Sequence, residues 1–355
     1  MQDKLLMIYG ANGYTGKLIV KEAVARGFTP IVAGRNKAAI EQIATQYSLA
    51  SRVFSLDEPS TVEQNLSDVF LVIHCAGPFS STAKPMMKGC ITSKTHYTDI
   101  TGEISVFELA QSLNTQAKQA GIVLCPGVGF DVIPTDCLAS MLKDKMPDAS
   151  HLALGFDSGS GMSPGTAKTS IEGLSAGGKI RKDGIITTVP LAYKERKIDF
   201  GNGSKNAVTI PWGDVSTAFY STGITNIEVY IPMSPKAVKG MRKMNWFKWL
   251  LGLNVVQNFM KKKVEQKSAG PNEQQREKLR TFVWGEVRNS KGEILTAKLE
   301  TLNGYQLTYI TAVEVAKFLL DENNQTIVGG AYTPSKLINN QLIFKVPTTT
   351  DITYQ

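Results

Sequence analysis

The chain has 355 residues, 42% of them apolar and 20% charged, with a formal net charge of +8. This marks a globular protein long enough for two domains, and no stretch approaches the roughly 20 unbroken apolar residues that cross a bilayer. The excess charge is local, because 236–267 holds nine Lys or Arg against the single acid Glu265, and no recognised nucleic-acid module accompanies it, so a local anionic partner is expected rather than a polymer.

In chain order, Leu5 to Ile8 read as an apolar strand running into Tyr9-Gly10-Ala11-Asn12-Gly13-Tyr14-Thr15-Gly16 and a helix over Lys17 to Ala25. A GxxGxxG turn between strand and helix is the layout of a dinucleotide-binding crossover. Gly10 permits the tight turn, Gly13 lets a pyrophosphate approach, and Gly16 lets the helix pack on the strand. Unpaired N–H groups at the helix start then hold the phosphates. The next strand, Ile31 to Ala33, ends in Gly34-Arg35-Asn36-Lys37, without the acid that would accept a ribose hydroxyl. Arg35 is therefore read as the partner of a ribose 2′-phosphate, with Lys37 as a second charge and NADP(H) as the cofactor. The plain alternative is a solvated arginine opening the next helix.

The alternation continues through a helix over Lys37 to Tyr47, a strand over Arg52 to Leu56, a short helix after Pro59, the apolar strand Val69 to His74, the segment Ala83 to Thr92, a helix over Val106 to Gln119 and a strand over Ile122 to Cys125. Apolar strands interleaved with helices specify a doubly wound parallel sheet, closing a Rossmann-type domain at about residue 130. Loops following the strands share one edge, where ligands bind: Cys75 to Ser80, His96 to Glu103, and Pro126 to Asp136. Ala76 and Gly77 are small enough for ribose and nicotinamide to lie on the backbone, and Phe79 can wall the ring. Cofactor contacts are expected from Gly10, Asn12, Gly13, Tyr14, Thr15, Gly16, Arg35, Asn36, Cys75, Ala76, Gly77, Pro78 and Phe79. Hydride transfer leaves a proton to be given or taken. His96, Tyr97, Asp99, Glu103 and Asp131 are available for it. Tyr97 and Asp99, of one parity along an extended loop, are read as the catalytic pair, although Asp99 and Asp131 also fit helix caps.

Cys75, Cys90, Cys125 and Cys137 form no CxxC pair and have only three histidines to help them, so small buried thiols are expected and a metal is not. From about Pro147 the texture changes. Leu152, Leu154, Phe156 and Ile227, Val229, Ile231 alternate as antiparallel, half-exposed strands, and Phe282 to Arg288 with Ile294 to Glu300 read as a hairpin turning at Asn289 to Gly292. The fold class is thus α/β: a Rossmann domain (1–130), a second α+β domain on a mixed or antiparallel sheet for substrate and dimerisation (131–310), and a C-terminal helix and tail (311–355) packing back on the first. Tyr193 and Lys197 match a YxxxK spacing, but in strand-like sequence of the second domain, where chance is the better explanation. Ser163 to Thr169 introduces a helix whose open N-terminus, with Thr166 and Lys168, suits a substrate carboxylate or phosphate; Thr166 fits an ordinary N-cap equally well. Between 242 and 263, Trp246, Phe247, Trp249 and later apolar residues flanked by basic ones fit a helix on an anionic lipid surface, a buried helix or a dimer contact. A homo-oligomer is expected. The first strand begins at once, which argues for a cytoplasmic location with peripheral membrane association through 242–263.

With these pieces in hand the chain resembles the saccharopine dehydrogenase-like family, in particular the branch with the bacterial trans-acting enoyl reductases. The matching motifs are G-A-N-G-Y-T-G with A-G-R-N, then C-A-G-P-F, H-Y-T-D-I-T-G-E, G-F-D-V-I-P-T-D, S-P-G-T-A-K-T-S-I-E-G, W-G-E-V, and G-Y-Q-L-T near Gly304. The resemblance implies a Rossmann domain followed by a smaller sheet-based domain, NADP(H), and oxidoreductase chemistry on a C=N or C=C bond. It assigns Gly10 to Gly16 and Arg35 to the cofactor and suggests Cys75 to Phe79 around the nicotinamide. The expected reaction delivers hydride in a cleft between domains, with a proton donor from the Tyr97 to Glu103 loop. Saccharopine itself would ask for an arginine cluster, and the second domain offers Arg181 and Arg196; an apolar or carrier-linked acyl substrate suits the Trp-rich basic segment better. The rival reading is a non-catalytic NADP(H) sensor or lipid-surface protein.

Overall fold

The computed structural model describes residues 4–159, 176–247, 253, 256–258, 273–324 and 327–355. The chain divides into two compact units, Met1–Ile133 with Tyr305–Lys345, and Pro134–Gly304 with Val346–Gln355. The expected segments 1–130, 131–310 and 311–355 differ from this at the C-terminus. The long helix and the residues after it belong to the first unit, and only the last ten residues join the second.

The first unit is built on seven parallel strands in the order β15-β6-β5-β4-β1-β2-β3. These are β1 Leu5–Tyr9, β2 Ile31–Gly34, β3 Ser51–Val53, β4 Val69–His74, β5 His96–Asp99, β6 Val123–Cys125 and β15 Gly330–Ala331. The helices between them are α1 Tyr14–Ala25, α2 Lys37–Tyr47, α3 Pro59–Leu66, α4 Phe79–Ser93, α5 Ile104–Ser112 and α6 Asn114–Ala120; α7 Ile133–Lys145, after β6, belongs to the second unit save for its first residue. Met7, Ile8, Leu71, Val72 and Ile73 are wholly buried, as a sheet covered on both faces requires.

Several elements depart from the sequence expectation. The stretch read as a loop from His96 is strand β5, hydrogen-bonded between β4 and β6. It is buried although polar because each side chain finds a partner: Thr98 Oγ1 donates to the Val72 carbonyl (3.1 Å), and His96 Nδ1 accepts the Val123 amide (3.0 Å). The predicted helix 106–119 is two helices, α5 and α6. Helix α1 starts at Tyr14, three residues early, because its N-cap is Gly13 and no side chain announces it. β15 comes from the tail and pairs with β6.

The second unit carries a nine-stranded mixed sheet. Its strands are β7 Ala149–Ser158, β8 Gly178–Lys182, β9 Ile185–Val189, β10 Glu195–Asp199, β11 Ser204–Thr209, β12 Asn226–Pro232, β13 Arg280–Asn289, β14 Ile294–Leu302 and β16 Thr353–Tyr354. The main path runs β10-β11-β12-β7-β13-β14-β16, with β8 and β9 branching from β12. The β13–β14 hairpin has the register Arg288↔Ile294. β7 and β12, read as antiparallel, run parallel to each other, and Leu152, Leu154, Ile227 and Val229 are fully buried rather than half-exposed.

Candidate nucleotide and proton-transfer site

The C-terminal ends of β1, β2, β4, β5 and β6 form one edge, and the expected cofactor residues gather there. Gly10 holds φ +81°, its amide donates to the Ala33 carbonyl (2.7 Å), and a Cβ on it would come within 2.7 Å of the Ala76 amide nitrogen. A Cβ on Gly16 would run into the Gly10 carbonyl. The glycine turn and the Cys75–Ala76 backbone therefore touch and make a single surface that only glycine permits at Gly10. Gly13 caps α1 with no side-chain hydrogen bond, and Tyr14 and Thr15 open the helix half-buried. A helix start without a side-chain cap and with no Cβ in the way is an arrangement that can accept a pyrophosphate.

Asn12 Oδ1 would be 3.2 Å from a Cβ on Gly34, so the first turn reaches the end of β2. Arg35 lies exposed there, near enough to Tyr9 to oppose the burial that pushes that phenol up to about 12. Asn36 Oδ1 accepts the Ala39 amide (3.1 Å) and caps α2. Lys37 is exposed and pairs with Glu41 at 3.8 Å.

In the loop after β4, Cys75, Ala76 and Phe79 are half-buried, while Gly77 and Pro78, joined by a cis peptide bond, are exposed. Burial, and behind it the Asp99 carboxylate, pushes the Cys75 thiol upward, so it stays protonated. Two residues not singled out in the sequence hold this loop. Thr82 Oγ1 donates to the Ala76 carbonyl (2.6 Å) and lies 2.9 Å from His74 Nε2, which therefore carries the ring proton. His74 is wholly buried, edge-on to Phe79 with centroids 5.4 Å apart, and desolvation lowers it to about 3, so the imidazole is neutral. Its only sequence signal is position, at the end of an apolar strand.

Tyr97 and Asp99 do share a side of β5, but both are fully buried. Tyr97 Oη donates to Asp99 Oδ2 (2.6 Å), and Asp99 Oδ1 accepts the amides of Thr101 (3.0 Å) and Gly127 (2.8 Å). Burial raises Asp99 to about 6 against the pull of these three donors. Such a pair pins the end of β5 to the loop after β6. The carboxylates that approach the surface are the next two. Glu103 accepts the amides of Phe79 (2.9 Å) and Ser80 (2.8 Å) and so caps α4 from another loop. Asp131 is half-buried with its carboxylate packed on Gly102, and burial, then the charge of Glu103, raises it to about 7. A carboxyl group poised near neutrality beside a second carboxylate can both give and take a proton.

Other expected positions contribute differently. Thr166 and Lys168 lie outside the described residues, as does most of 248–263. Arg181 is buried, donating from Nε to the Val215 carbonyl (2.8 Å) and from Nη1 to the Gly184 carbonyl (2.7 Å). Arg196 makes a two-pronged pair with Glu286 (2.9 and 2.7 Å) over Trp284. Tyr193 and Lys197 flank the start of β10, not a helix. Cys90, Cys125 and Cys137 are buried thiols in no disulfide.

Comparison with known proteins bears on the fold and on the nucleotide. Residues 6–125 match the family described as saccharopine dehydrogenase NADP binding domain, which identifies NADP(H) as the nucleotide of the first unit. The saccharopine dehydrogenase-like oxidoreductase of Mus musculus is 26% identical over 203 residues, covering 50% of this chain and 47% of the mouse protein. The matched region thus spans about half the length of that relative. A lipid droplet localized protein of Caenorhabditis elegans is 23% identical with 99% and 97% coverage, and the trans-acting enoyl reductase of Mycobacterium bovis is 27% identical with 37% and 33% coverage. In fold, saccharopine dehydrogenase (L-Glu forming) from Saccharomyces cerevisiae superimposes with a TM-score of 0.65 at 14% identity, covering 99% of this chain and 100% of the yeast chain.

Proposed function

We propose that this chain, whose residues 6–125 match the saccharopine dehydrogenase NADP binding domain, is an NADP(H)-dependent reductase of the saccharopine dehydrogenase-like kind, acting on a C=C or C=N bond. The observation that carries this reading is the edge where the glycine turn, Arg35 and the pair Glu103–Asp131 meet on one unit. Bound there, the nicotinamide supplies the hydride. Gly10 to Gly16 seat the pyrophosphate, Arg35 grips the 2′-phosphate, and the backbone of Cys75 to Phe79 lies beside the ring. Asp131 moves the proton: the buried Tyr97 and Asp99 hold the loops in register, and the half-buried Asp131, raised to about 7, exchanges its proton near neutral pH. An apolar or acyl substrate fits better than a dicarboxylate, since Arg181 and Arg196 are engaged in structural bonds.

The test follows NADPH oxidation against pooled imine, enoyl-thioester and ketone substrates. One reduced class, with turnover lost in Asp131→Asn, supports the reading. NADPH binding without turnover on any class favours the sensor.

A second partner is proposed from a separate observation. The helix Pro235–Met244 carries Lys236, Lys239, Arg242 and Lys243 and leads to Trp246 and Phe247, which are 84% and 60% exposed. Aromatic side chains beside cations suit an anionic lipid surface. Co-sedimentation with anionic vesicles, lost in Trp246→Ser/Phe247→Ser, is the expected result; equal sedimentation of that variant removes the proposal. No described helix is long and apolar enough to cross a membrane.

A further inference from the structure

The long helix Gly304–Leu320 lies beyond the residues matched to the NADP-binding family, yet all but its first residue belongs to the same compact unit. Its ends are fixed at opposite edges of the seven-stranded sheet. At the far end, Lys4 Nζ, just before β1, donates to the Leu320 carbonyl (3.1 Å), and Glu314 pairs with Arg26 at the C-cap of α1. At the near end, Thr308 Oγ1 accepts the Phe130 amide (3.0 Å) and Thr311 Oγ1 donates to the Val128 carbonyl (2.8 Å). There too the Tyr305 ring stands edge-on to Tyr14, centroids 5.1 Å apart. The helix therefore runs beside α1 in the same direction. Its first turns reach both the glycine turn after β1 and the loop after β6, and β4 and β5 lie between those two strands.

Tyr14 directly follows Gly13 at the uncapped start of α1, so its ring borders whatever the glycine turn holds. Tyr305 is ordered against that ring at the same edge, and both rings are half-buried. An edge-on aromatic pair fixes two large amphipathic surfaces at little entropic cost. We propose that Tyr305 is a cofactor-contacting residue, forming with Tyr14 an aromatic wall along the pyrophosphate and nicotinamide ribose, so that the C-terminal helix completes the nucleotide site. The inference rests on the NADP(H) reading above.

The experiment titrates the full-length wild type, Tyr305→Ala, Tyr305→Phe and Arg35→Ala with NADPH and NADH by calorimetry. Tyr305→Ala weakens both nucleotides by about three- to tenfold, since the wall touches what they share, and Tyr305→Phe keeps wild-type affinity. Arg35→Ala weakens NADPH alone. Wild-type affinity in Tyr305→Ala overturns the inference and leaves the cofactor reading intact. Failure of the wild type to bind NADPH overturns both. Nitration of wild-type protein read by mass spectrometry gives an independent arm: saturating NADPH shields Tyr305, and equal nitration with and without nucleotide rejects the contact even where the alanine variant does not fold.

Discussion

In the parallel sheet, β1 and β4 are buried almost end to end and polar groups collect where the strands stop; in the mixed sheet, charge is spread over a strand face. Gly285 of β13 packs on Leu138 and Leu142 of α7, while its neighbours Trp284 and Glu286 point the other way, toward Arg196. Lys205 pairs with Asp157, and Lys298 with Asp199. There, opposite charges cancel. At the cofactor edge, burial first and the nearby charge of Glu103 second keep a proton on Asp131 toward neutrality. Cancellation suits a surface that only has to stay folded, whereas a buried carboxyl raised toward neutrality is useful where a proton must change hands.

This contrast can be broken most forcefully at the glycine turn. Gly10→Ala forces a Cβ into the Ala76 amide at positive φ, and a loss of about 2–4 kcal/mol of stability with NADPH binding below detection is expected by denaturant unfolding and titration. Unchanged binding would mean that the turn does not seat the nucleotide.

Asp131→Asn comes next, with turnover down by about 10²–10³-fold and NADPH affinity held within about twofold. Its stability has a definite sign. In the wild type, the folded state keeps a proton up to about pH 7 that the unfolded chain releases near 3.8, so ionisation costs stability as pH rises through that window. The Asn variant escapes this cost. It is expected to be more stable than wild type by about 1–3 kcal/mol at pH 8, after discounting for solvent, with the gain vanishing by about pH 4. Thermal melts at the two pH values decide it.

Arg35→Ala is expected to raise the NADPH dissociation constant by about 10–100-fold and leave NADH unaltered, the scale of a lost charge-assisted hydrogen bond pair. The smallest effect falls on the mixed sheet. Arg196→Ala loses about 1–2 kcal/mol of stability through its Glu286 pair and Trp284 packing, with no change in nucleotide affinity. A large catalytic effect there would erase the distinction between the two sheets.

The sequence makes the first crossover readable because its glycines and apolar strands are local signals, and the bounds of α2 and β4 further along agree with the expected ones to the residue. The β13–β14 hairpin is legible for the same reason, through its alternation and its Asn289 to Gly292 turn. What escapes is whatever depends on distant partners. β5 reads as polar loop because Thr98 and His96 find their bonds on other strands, while Tyr97 donates to Asp99 of its own strand. α4 starts early because Glu103 caps it from 23 residues beyond Ser80. β15, two residues of Gly and Ala, has no pattern at all and exists because β6 offers an edge. Asp131 is visible as an acid, but its neighbour Glu103 and its seat on Gly102 are not. Tyr97 and Asp99 share a face as their parity indicates, while their burial depends on β4 and β6.

The nucleotide unit draws its sheet and covering helices from both ends of the chain, with Lys4 and Leu320 joined across 316 positions. A ribosome releasing this polypeptide from the N-terminus must finish the entire intervening unit before the last strand and its helix can dock. Until then β6 presents a bare edge, ready to pair with the wrong neighbour. Shortened transcripts that end after the first 130 codons are therefore expected to yield aggregation-prone fragments, and joining the tail directly to that fragment should recover a folded, nucleotide-sized module.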